Sequence, residues 1–197
     1  MNRFIAAAIA LLPVAAAAGP KAEDLTGTIA PALRRKVELV YVEKVPGKFT
    51  PPAEPAVMNQ VKNVYVPRVL PVLQGATVQF KSEDPELHNV FGRAEKKVLF
   101  NQGVPPRASS SIKMTELGVV KLSCNIHREM TAFIPVLQNP YFTQPDPKTG
   151  AFTIWALPPG HYQLRLWGEK LTDEEKARPY PVTTGGAAPT HPELAAR

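Results

Sequence analysis

Cysteine is almost absent from this chain of 197 residues: there is one, Cys124, and only four histidines accompany it. A single thiol forbids an intrachain disulfide, a CxxC centre, a bridged two-copper centre and any cluster needing several thiolates. Runs of one charge are missing as well. Lys and Arg number 23 against 17 Asp and Glu, a formal net of +6, yet they are scattered along the chain. The dense basic stretches of a nucleic-acid face are not there, and no nucleic-acid partner is expected. Long helices are disfavoured, because proline is 22 of the 197 residues and each interior proline removes a donor and clashes with the preceding turn. No Ser/His/Asp set, phosphate loop or pair of carboxylates stands out either. An enzyme is not expected.

What is present begins with an address. Arg3 precedes an apolar stretch over 4–14, and Ala16-Ala17-Ala18 supplies small residues for cleavage, the pattern of a secretory signal peptide over 1–18. The apolar run is shorter than the roughly 20 residues a spanning helix requires, so no membrane span is expected in the mature protein. Export to the periplasm follows, and in that oxidising compartment a lone thiol calls for a role.

Beyond the signal, short alternating segments are separated by breakers. The segment 36–42 (KVELVYV) is rich in strand formers, and Pro46-Gly47 closes it off. Val78 and Phe80 share one parity, as do Val120, Leu122 and Cys124, which puts Cys124 on a buried face at a strand end. Further strands are expected over 98–100, 111–114, 131–137, 152–155 and 162–166, with turns at 146–150 and 158–160. Trp155 and Trp167 each carry a large apolar surface and are expected in a core. The segment after 171 offers one polar helical turn at TDEEKA, and the rest of 171–197 has too few apolar residues to pack and is expected to be disordered. Many short strands at close spacing make the fold class all-β, a sandwich or barrel.

The chemistry gathers at Cys124-Asn-Ile-His127-Arg-Glu-Met130, with His88-Asn89-Val90-Phe91 upstream. Thiolate, thioether and imidazole together suit copper, since soft sulfur favours Cu(I) while imidazole also accepts Cu(II). The C-x2-H-x2-M spacing is tight enough to curl three donors round one ion, and His88 is expected from a separate loop at the same end. His161, in a turn, is expected on the surface, and His191, in the tail, is expected to have no role.

At these residues the chain resembles the cupredoxins, the type 1 (blue) copper proteins. The resemblance covers about 56–138 and includes Tyr65-Val66-Pro67, the segment 75–80 (GATVQF), His88-Asn89-Val90, Gly118-Val119-Val120 and the Cys/His/Met loop. The short ligand loop is most similar to that of the amicyanins. The resemblance implies a cupredoxin-like Greek-key β-sandwich, one mononuclear copper held by His88, Cys124, His127 and Met130, and a supporting hydrogen bond from Asn89 across the ligand loops. Arg128 and Glu129 depart from the family, which often has proline or an aromatic after the loop histidine. They put an apolar docking patch in doubt and suggest an acidic redox partner. The flanks, 24–50 and 139–169, resemble strands of a carboxypeptidase regulatory-like sandwich through Leu157-Pro-Pro-Gly-His-Tyr and Trp167. The two-part pattern is similar to cupredoxin-like proteins labelled methylamine utilisation proteins.

Counting ligands separates the function classes. With His88 and His127 used, two histidines remain, too few for the additional copper sites of a copper oxidase or nitrite-reductase-type enzyme. The reading is a periplasmic electron-transfer carrier. Two alternatives stay open: a copper carrier or chaperone that delivers metal, and a β-sandwich binding module without metal.

Overall fold

Period-two burial organises the chain into short strands in a computed structural model that describes residues 21–186 and 191–195. The signal peptide expected over 1–18 lies outside the described residues. In chain order, β1 (Glu23–Ile29) and β2 (Leu39–Val42) come first. Then follow β3 (Ala56–Val61), β4 (Val64–Val66), β5 (Val72–Leu73), β6 (Thr77–Ser82) and β7 (His88–Ala94). The run continues with β8 (Lys97–Val104), β9 (Ser109–Lys113), β10 (Gly118–Ser123) and β11 (Thr131–Leu137). Last come β12 (Phe142–Thr143), β13 (Ala151–Leu157), β14 (Gly160–Trp167), the short helix α1 (Asp173–Ala177), β15 (Tyr180–Thr184) and β16 (Glu193–Leu194). The all-β expectation holds.

Among the described residues, sixteen strands build four sheets. Two of them, ordered β5-β11-β10-β7-β8 and β4-β3-β6-β9, enclose one core. Its side chains come from both layers: Met58, Val78 and Phe80 from one, Val90, Leu122 and Ile134 from the other. Each such burial is worth about 1.5–3 kcal/mol against leaving the side chain in water. The remaining sheets, β13-β1-β16 and β12-β2-β14-β15, enclose a second core that includes Leu25, Ile29, Val40, Phe152, Ile154 and Leu164. A small cluster joins the two. Leu39 and Trp167 meet Val69 and Phe133, with the Phe133 and Trp167 rings 5.1 Å apart between centroids.

Three expectations need correcting. The polar helical turn expected after 171 is α1, but the rest of 171–197, expected to be disordered, carries β15 and β16 among its described residues, with Val182 and Leu194 buried in the second core. An added edge strand draws its hold from backbone hydrogen bonds to β14 or β1 and needs only one or two inward side chains, so low apolar content does not exclude it. Trp155 is not core: it is 69% exposed. Phe152 and Ile154 face inward on β13, so Trp155 takes the opposite parity. Third, His88 opens strand β7 instead of sitting in a loop.

Candidate metal centre

Strand parity delivers the sulfur. On β10, Val120 and Leu122 point into the first core, and Cys124, one residue past the strand end, continues that face and is buried. The chain then turns through 125–129, with the Met130 N–H donating to the His127 carbonyl at 3.1 Å, and re-enters the sandwich as β11. Met130 is fully buried in the same cluster as Cys124. His88 reaches this end from β7, the neighbour of β10, at an inward-facing position with no solvent exposure.

The donor atoms converge. His88 Nδ1 and His127 Nδ1 are 3.2 Å apart, and Cys124 Sγ lies 3.9 Å from His127 Nδ1. The ligand atoms of His88, Cys124 and His127 all fall within 4.8 Å of one another, the one such group of three among the described residues. Two imidazole nitrogens bound tetrahedrally at about 2.0 Å would be roughly 3.3 Å apart, and a nitrogen and a thiolate sulfur at about 2.3 Å roughly 3.5 Å apart. The side chains therefore stand close to ligating positions, and the donor set of thiolate plus two imidazoles, with a buried thioether on the same loop, is chemically matched to copper.

Burial grades the four side chains. His88, Cys124 and Met130 are buried, while His127 is half-buried, so solvent approaches the cluster from the His127 side. Around that side lie Asn125, Ile126, Arg128 and Glu129, all exposed. Ile126 is 50% exposed and Leu87, next to His88, is 51% exposed. Apolar surface therefore flanks both histidines in sequence, alongside the charges of Arg128 and Glu129.

Several bonds hold together the elements that carry these side chains. Asn89 Oδ1 accepts the Asn125 N–H at 3.2 Å, and Asn89 Nδ2 donates to Asn101 Oδ1 at 2.5 Å. The Tyr65 hydroxyl reaches the carbonyl oxygens of Asn89 at 2.9 Å and Ser123 at 3.3 Å, the residues beside His88 and Cys124. Burial pushes the Tyr65 phenol far above its usual pKa, and the nearby Cys124 sulfur adds to the rise. It stays protonated, and so stays a donor.

One partner was not legible in the sequence. Asp84 Oδ2 lies 2.8 Å from His88 Nε2, and the carboxylate also accepts the backbone N–H groups of Lys62 at 2.6 Å and Asn63 at 3.1 Å. Desolvation would raise the Asp84 pKa. The donors from Asn63 and Lys62, with the hydrogen bond and charge of His88, outweigh it and hold the carboxyl below its ordinary value. The only sequence signal was an Asp four residues before a His.

The other histidines stand apart from the cluster. His161 is exposed, with Nδ1 2.9 Å from the Thr183 hydroxyl, and His191 is exposed, with Nδ1 2.6 Å from the Thr26 hydroxyl.

No protein-family model matches the chain, and no curated protein matches it. Solved structures match it in part. A purple cupredoxin from Nitrosopumilus maritimus is 24% identical over 41% of this chain and 98% of its own, at a TM-score of 0.38. An amicyanin from Paracoccus versutus is 19% identical over 49% of this chain and 96% of its own, at 0.39. A copper-containing nitrite reductase from Thermus scotoductus is 24% identical over 55% of this chain but only 27% of its own, at 0.41. At such identities and scores, what those proteins bind is a property of theirs, and the copper reading of this chain stands on its donor set.

Proposed function

We propose that the protein is a periplasmic carrier of single electrons, using one copper ion held by His88, Cys124, His127 and Met130. The observation that carries the reading is the approach of two imidazole nitrogens and one thiolate sulfur to within 4.8 Å of one another, beside a buried thioether on a seven-residue turn between adjacent strands. Copper would supply a Cu(I)/Cu(II) couple there. The chain's own residues supply the rest. Soft sulfur favours Cu(I) and imidazole also accepts Cu(II), so a mixed set accommodates both states. Latches from Asn89 and Tyr65 hold the ligand-bearing elements in place, so that little has to rearrange when an electron arrives or leaves. His127, the least buried of the four, is the exit toward a partner.

The test is retention through a redox cycle. Copper-loaded protein is reduced with ascorbate and reoxidised with ferricyanide in the presence of a Cu(I) chelator. A carrier of electrons keeps one copper per chain over many cycles. Quantitative transfer of copper to the chelator on the first reduction would make it a carrier of metal instead.

A further inference from the structure

The hairpin between β3 and β4 turns through Lys62 (φ 51°) and Asn63 (φ 58°), two successive residues in the left-handed region. This is the backbone of a two-residue hairpin turn matched to strand twist. It also aims two consecutive N–H groups to one side, a concavity suited to an anion. The anion is supplied from within: both N–H groups donate to the carboxylate of Asp84, one to each oxygen. Asp84 is itself buried, and its third contact, on Oδ2, is His88 Nε2. The chain of contacts therefore runs from a turn through a carboxylate to an imidazole.

An ionised carboxylate can only accept. Asp84 therefore fixes the proton of His88 on Nε2 and leaves Nδ1, the atom facing His127, with a free lone pair. Hydrogen-bonding of this kind to a ligand imidazole fixes its orientation and raises its basicity. A more basic nitrogen, backed by a buried negative charge, favours Cu(II) over Cu(I). We propose that Asp84 is the positioning residue of the metal centre, selecting the Nδ1-ligating form of His88 and lowering the reduction potential of the bound copper. The inference rests on the copper reading above and adds to it a lever on the couple that lies outside the ligand set.

Three measurements test it on the whole mature chain. In Cu(I)-loaded wild-type protein, nitrogen-15 NMR should show a protonated, slowly exchanging Nε2–H on His88 at the low-field proton shift of an imidazole bonded to a carboxylate. A His88 ring protonated on Nδ1, or one with a freely exchanging Nε2–H, overturns the proposal without any variant. Asp84→Asn should keep the visible thiolate-to-copper band while shifting the Cu(II)/Cu(I) equilibrium about tenfold toward Cu(I), some 59 mV for one electron. It should also weaken Cu(II) binding about tenfold or more. Val136→Ala, a cavity variant on β11 in the same core, separates lost stability from lost tuning, since it should lower thermal stability with the potential unmoved. An unchanged potential in folded Asp84→Asn, or an equal shift in Val136→Ala, overturns the proposal. If wild-type protein forms no visible band with Cu(II), the copper reading itself has failed, which is a different result from a blue protein whose potential ignores Asp84.

Discussion

Asn89 Oδ1 accepts the backbone N–H of Asn125 at 3.2 Å, latching the strand that bears His88 to the turn that bears His127. Neither residue belongs to the donor set, yet the bond ties together the two elements that carry the imidazoles. Loss of one neutral hydrogen bond of this sort costs about 0.5–1.5 kcal/mol. Asn89→Ala should therefore keep the fold and the visible band but release copper to a strong chelator roughly fivefold faster, the equivalent of about 1 kcal/mol. Asn89→Asp keeps the acceptor and loses the donor to Asn101, so it should restore most of the wild-type rate. Release from Asn89→Ala at the wild-type rate would mean that the turn holds its shape without the latch.

Met130 is fully buried at the end of the turn between β10 and β11, packed in the cluster that contains Cys124. A thioether would be the weakest donor of such a set and would tune a copper site more than it anchors the ion. Met130→Leu, similar in volume, should bind copper with near-native stability and show a raised potential in voltammetry, because a donor that helps stabilise Cu(II) has gone. Complete loss of copper from the folded variant would make Met130 a principal anchor.

The two tryptophans should separate cleanly. Trp167 is buried against Phe133 where the two sandwiches meet, while Trp155 stands 69% exposed on the outer face of β13. Thermal or denaturant unfolding of Trp167→Ala should show a loss of about 3–5 kcal/mol. Trp155→Ala should change stability by no more than about 0.5 kcal/mol. Comparable losses in both would contradict the placement of Trp155.

What the sequence made legible follows the range of the interactions involved. Cys124 could be placed on a buried face from the parity of Val120 and Leu122, because a strand alternates its faces whatever surrounds it. The same parity, read from Phe152 and Ile154, puts Trp155 outside, and expecting it in a core gave side-chain size more weight than strand geometry. Asp84 was out of reach. Its role depends on a hairpin turn 21 and 22 residues earlier in the chain, whose N–H groups meet its carboxylate only in the folded sandwich. The edge strands β15 and β16 were hidden for a related reason: ladder hydrogen bonds hold them, and hydrophobicity does not record those.

Docking at the His127 side should be partly electrostatic. Arg128 and Glu129 are exposed beside the least buried histidine, on a chain of net charge +6. Exposed charges steer association only within the Debye length, about 30 Å at 0.01 M salt and about 8 Å at physiological strength. Stopped-flow rate constants with an acidic redox protein should fall as salt rises, and Arg128→Glu should lower them further at low salt while leaving the copper spectrum unchanged. Rates indifferent to salt and to the charge reversal would place docking on another face.

In the proposed function, Cys124, as a thiolate, joins His88 and His127 on one copper ion. The most direct measurement is a titration of the mature protein with Cu(II), followed by visible absorption, beside the same titration of Cys124→Ser. An intense thiolate-to-copper band should saturate at one copper per chain in the wild type and be absent from the folded serine variant. A colourless complex in the wild type, or an equally intense band from Cys124→Ser, would contradict it.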